Sequence, residues 1–120
     1  MKFWPTTRNM EGAYEFIRTL HPFIKLGLPD HDELKLRVSG HVDRYGHFKP
    51  AGKKGGFHEI LISAKNVTSC TMLQATMAHE MLHLYQERRG TNSSVQHNAE
   101  FNRLARIFCR TNGFEFDTFL

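Results

Sequence analysis

Two histidines four residues apart, with a glutamate beside the first, are the part of this chain best suited to chemistry. They form His79-Glu80-Met81-Leu82-His83, an H-E-x-x-H. On an α-helix, residues four apart share a face, so the imidazoles of His79 and His83 project side by side and can reach one metal ion. Glu80 then lies about 60° around the helix from His83, an offset that suits contact with a water at the metal rather than with the metal itself. Two ligands, a general base and an open position make the pattern of a zinc hydrolase, with Glu80 catalytic and Zn2+ the expected cofactor. A catalytic zinc takes three protein ligands. The next histidine is His97, in His97-Asn98-Ala99-Glu100-Phe101. It is the preferred third ligand, and Glu100, one helical turn inward, is its rival.

Such a site needs a helix to carry the first pair and a second helix to return His97. The segment from about Thr71 to Arg89 has a helical pattern, apolar on most sides between Met72 and Tyr85, so it should be central to the fold. Thr71-x-x-Gln74 resembles a capping box at its start, and Gly90 suits a left-handed residue at its end. A last helix is expected from about Asn98 to Thr111, with Phe101, Leu104, Ala105 and Phe108 as its inner stripe and Gly113 closing it. Upstream, Met10, Ala13, Tyr14, Ile17 and Leu20 keep helical spacing from Thr7 to Leu20, before His21-Pro22. Three short strands are expected between: Glu33 to Ser39, where Leu34, Leu36 and Val38 alternate with polar residues; His41 to Phe48; and Phe57 to Ala64, around Ile60-Leu61-Ile62. Lys49 to Gly56 reads as a wet loop. The order predicts an α+β domain.

Composition bounds the rest. The chain has 120 residues, 40% hydrophobic and 23% charged, which fits a single domain over 1–120 and excludes disorder or coiled coil throughout. No apolar run approaches the roughly 18 residues of a membrane span. The opening Met1 to Arg8 lacks the apolar segment of a secretory signal. A cytoplasmic monomer is expected. Cys70 and Cys109 stand far apart and read as buried free thiols in a reducing compartment. Lys plus Arg exceed Asp plus Glu by 16 to 12, a surplus that permits an anionic partner without demanding one. Arg88-Arg89 and the helically spaced Arg103, Arg106 and Arg110 could form a basic surface for DNA.

The chain resembles the SprT-like metallopeptidase family, whose eukaryotic member is Spartan. The resemblance rests on His79-Glu80-Met81-Leu82-His83, the short loop after it, and His97-x-x-Glu100-Phe101; the family pattern H-G-x-x-F has Asn98 in place of its glycine. It spans about Ile60 to Phe108. It implies a zincin-like fold, zinc held by His79, His83 and His97, Glu80 as catalytic carboxylate, and a protein or peptide substrate. The paired Cys-x-x-Cys of the zinc ribbon found in many bacterial members does not occur in these residues, so the resemblance is to a minimal catalytic domain.

A peptide substrate would lie extended along a strand edge, pairing through its backbone; which strand offers that edge stays open. Tyr45, Tyr85, His47 and His58 are all conceivable donors to an oxyanion. The competing reading is a zinc-stabilised nucleic-acid- or protein-binding module without catalysis, for which Glu80 would have no use.

Overall fold

The computed structural model describes residues 1–119. Helix α1 runs from Thr7 to Arg18, strand β1 from Lys35 to Ser39, β2 from Gly46 to Lys49 and β3 from Glu59 to Ser63. Helix α2 spans Cys70–Arg89, α3 spans Ala99–Asn112, and a single turn, α4, covers Phe116–Phe119. The architecture is α+β, with α1 and α2 packed against a three-stranded sheet and α3 and α4 packed against α2.

Helix α1 starts where Thr6 and Asn9 cap each other reciprocally, and it buries Met10, Tyr14 and Ile17 at i, i+4 and i+7. It stops at Arg18, short of the expected Leu20, and two tight turns lead the chain through Pro22 to a 3-10 turn at Phe23–Lys25. Residues His31–Glu33 form another 3-10 turn, so β1 starts later than its alternating pattern suggested. Strand β2 is shorter than the expected His41–Phe48; residues 41–45 are an exposed loop leading into it.

The sheet order is β1-β3-β2, with β1 parallel and β2 antiparallel to β3. Being central, β3 is buried at every position, which explains its continuous apolar core of Ile60, Leu61 and Ile62. Leu36, Val38, Ile60, Ile62 and Phe48 share the face that packs toward the helices.

Helix α2 runs through the middle of the core. Met77, Ala78, Met81, Leu82 and Leu84 are fully buried. Its N-cap is Ser69, whose hydroxyl accepts a hydrogen bond from the Met72 amide at 3.1 Å. The expected Thr71–Gln74 capping box does not form, because Thr71 already lies inside the first turn. Gly90 (φ 71°) and Gly113 (φ 81°) close α2 and α3 in the left-handed region, as their positions suggested. Among the described residues both cysteines are free; Cys109 is buried, but Cys70 is exposed on the first turn of α2, contrary to expectation. No helix among these residues is long and apolar enough to cross a membrane.

Candidate metal centre

Helix α2 presents His79 and His83 on one face, one turn apart, with ring centroids 5.1 Å from each other. His97 enters from the loop between α2 and α3, just before the N-cap of α3, and its ring lies 4.9 Å from that of His79 and 5.5 Å from that of His83. One nitrogen from each ring falls within 4.8 Å of the others. The structure therefore brings together the three histidines that the spacing singled out. Phe101 forms the floor of the group: its ring stacks on His83 and His97 at 4.7 and 4.5 Å and meets His79 edge-on at 5.1 Å.

Polar contacts behind the rings fix their positions. His79 Nδ1 donates to the backbone carbonyl of Phe119 at 3.0 Å, which leaves Nε2 with a free lone pair. His97 is placed by the start of α3. Asn98 is the N-cap, its Oδ1 accepting from the Phe101 amide at 3.0 Å and from Gln86 Nε2 at 2.8 Å. Gln86 is only 1% exposed, and its Nε2 also donates to Glu100 Oε1 at 3.0 Å. Glu100, the rival third ligand, is thus occupied by Gln86 and lies outside the histidine group. The Asn98 side chain ties the loop to both helices, a role glycine could not fill.

Electrostatics suit a cation. Burial pushes the pKa of His79 down to about 4, partly opposed by the bond to Phe119. Burial, and then the neighbouring His79 and His97, push His83 down to about 3. Burial also lowers His97. At neutral pH all three rings are uncharged, the state in which imidazole binds a metal. An all-imidazole donor set fits zinc and its borderline neighbours better than calcium or magnesium, which prefer oxygen. Three ligands, with no fourth such group joining them among the described residues, leave an open side.

That open side faces a cleft of about 320 Å³. Glu80 lines it beside His79 and His83 but is not among the ligands. Its side chain is 5% exposed, and burial raises its pKa to about 8 against the opposing pull of Arg44. A dication alongside would draw this carboxyl back toward its ionised form.

Strand β2 forms the opposite wall. A Cβ on Gly46 would stand 2.7 Å from Thr76 Cγ2 and 3.0 Å from Glu80 Oε2, so only glycine lets the strand pass this close to α2. Strand β3 spends its even residues on β1: Lys35 donates to His58 and Ala64 donates to Ser39. Its odd residues serve β2, beginning with Ser63 donating to Tyr45. By antiparallel alternation, Gly46 and Phe48 turn their N–H and C=O groups outward along the cleft. The sheet edge that borders the cleft is therefore β2.

The four conceivable oxyanion donors separate. Tyr85 is largely buried beneath the Arg89 guanidinium, away from the cleft. His58 Nδ1 accepts from the Ala51 amide at 2.8 Å. Tyr45 and His47 border the site. Sequence reasoning missed Gly46, Gln86 and the Phe119 carbonyl. A glycine inside a strand pattern is a sign of close backbone approach and could have flagged Gly46; a main-chain carbonyl leaves no such sign.

No protein-family model matches the chain, and a search of curated proteins returns no match.

Proposed function

We propose that the protein is a zinc-dependent endopeptidase, a zincin-like domain of the kind its sequence motifs resemble. The observation that carries this reading is the placement of His79, His83 and His97 around one open position, with Glu80 beside it and the free edge of β2 across the cleft. A purely structural zinc site would close with a fourth ligand and would have no use for Glu80.

When bound, zinc supplies the Lewis acidity that activates water and polarises a peptide carbonyl. The chain's residues do the rest. Gly46 and Phe48 hold an extended peptide by main-chain hydrogen bonds. Glu80 accepts a proton from the attacking water at its carboxylate and delivers it to the leaving amine. Phe101 keeps the rings of His83 and His97 oriented by stacking on them. Main-chain pairing by itself selects weakly among sequences, so recruitment can add selectivity. The exposed Arg103, Arg106 and Arg110 along α3 offer a cationic face suited to a phosphate backbone, in keeping with action on DNA-associated proteins.

The test is Glu80→Gln in the zinc-loaded chain, assayed on an unfolded protein substrate. The variant should hold about one zinc per chain, as a three-ligand site requires, and lose proteolysis. Wild-type zinc loading without proteolysis on any substrate, with or without DNA, would overturn the reading in favour of a binding module.

A further inference from the structure

Beyond the main cleft, a second hollow of about 290 Å³ is also lined by Glu80. The two hollows share Gly46, His79 and Glu80, so a peptide lying along β2 crosses from one to the other at the reacting position. Their chemistry differs. Polar groups such as Glu87, Asn92 and Gln96 line the main cleft. The second hollow is walled by Tyr45, Ala75, Thr76 and Phe119, and Phe119 is itself anchored against Phe108. Its charged lining group besides Glu80 is Arg44, whose guanidinium already faces Asp43 at 3.6 Å.

Register aims a substrate side chain into this space. In an antiparallel pair, directly opposed residues project to the same face of the sheet. A peptide residue opposed to Gly46 therefore points toward α2, on the side where the hollow is lined by Ala75 and Thr76. At about 290 Å³ the hollow has room for one large side chain.

We infer that this recess is a specificity subsite, and that the enzyme prefers peptides with one large apolar residue (leucine, methionine or phenylalanine) next to the bond it cuts. The inference rests on the peptidase reading and names its substrate class.

The experiment uses the zinc-loaded full chain and quenched fluorescent peptides that differ only at the residues flanking one bond, with cleavage positions read by mass spectrometry. At one flanking position, leucine or phenylalanine should exceed glycine in kcat/KM by about 10-fold or more, the scale on which an apolar pocket discriminates. Ala75→Phe fills the recess and should bring that ratio toward one. Tyr45→Ala, at a residue 56% exposed and so safe for folding, should lower it by removing a wall. Because the readout is a ratio within one protein, loss of folded material cancels. Equal cleavage of all peptides, a preference for aspartate or lysine, or a ratio unmoved in both variants overturns the subsite and leaves the peptidase standing. Failure to cleave any peptide removes the peptidase reading and the subsite with it.

Discussion

The imidazole of His79 is held by the main-chain carbonyl of Phe119, 3.0 Å from Nδ1 and forty positions further along the chain. A single turn of helix thus orients a candidate metal ligand on the central helix. Phe119 keeps its carbonyl in place by burying its ring near His79 and Phe108, at 5.7 and 5.6 Å. Replacing Phe119 by alanine should loosen that support and weaken zinc binding by about 10–100-fold, the usual effect of losing a group behind a ligand. Competition with a chromophoric chelator measures it. Unchanged affinity would show that the Phe119 ring is not what holds the carbonyl against His79.

Gly46→Ala places a methyl group against Thr76 and Glu80. Overpacking of this kind costs about 1–3 kcal/mol, and here it also pushes β2 away from Glu80. Lower thermal stability and lower turnover are both expected. Thr76→Ser removes the nearest atom, so the double variant should recover part of the stability loss; an additive loss in chemical denaturation would contradict the contact.

Asn98→Ala removes the cap of α3 and one acceptor of Gln86. Loss of the cap should cost about 1 kcal/mol. Because Asn98 follows His97 directly, zinc affinity should fall as well. Gln86→Leu should also weaken zinc binding, by freeing the same loop from α2. Nuclear magnetic resonance of the His97 ring, with and without zinc, separates loosened loop from lost fold.

Far from the site, Glu15 links α1 to the turn at His31. Its Oε2 accepts from the His31 amide at 2.8 Å and lies 2.9 Å from His31 Nδ1, while Oε1 accepts from Arg18. Burial works to raise the Glu15 pKa, but the His31 and Arg18 hydrogen bonds outweigh it and hold the group below its ordinary 4.5. The bond to Glu15 raises His31 above its ordinary 6.5. A lowered acid contributes stability above its unfolded pKa and loses it as pH falls. A raised histidine contributes below its unfolded pKa and loses it as pH rises. The pair is therefore strongest between about pH 4.5 and 6.5. The melting-temperature gap between wild type and His31→Ala should be widest near the middle of that window and narrow on the alkaline side. A gap independent of pH would rule out the charged pair.

What could be read from the residues depended on periodicity. The buried stripes of α1 and α3 follow directly from Met10, Tyr14 and Ile17, and from Phe101, Leu104, Ala105 and Phe108, because each pattern is local. The pairing of His79 with His83 is equally local. Strand order is not: nothing in Gly46–Lys49 says that it flanks β3 on the side of the cleft, since its paired residues lie ten to sixteen positions away. Helix α4 was not foreseen, being too short to show a period. Cys70 looked buried because free cysteine usually is, but its place on the first turn of α2 turns it outward.

The two borders of the sheet are unlike. On β1, Lys35 and Arg37 stand exposed, charges of the kind that discourage stray strands from joining. On β2 the charge stands at one end, at Lys49, and the stretch beside the cleft begins with a glycine. Unwanted aggregation is thus opposed along the first seam, and if the second is where a peptide pairs, a self-assembling contaminant should compete for that place rather than grow from the opposite flank.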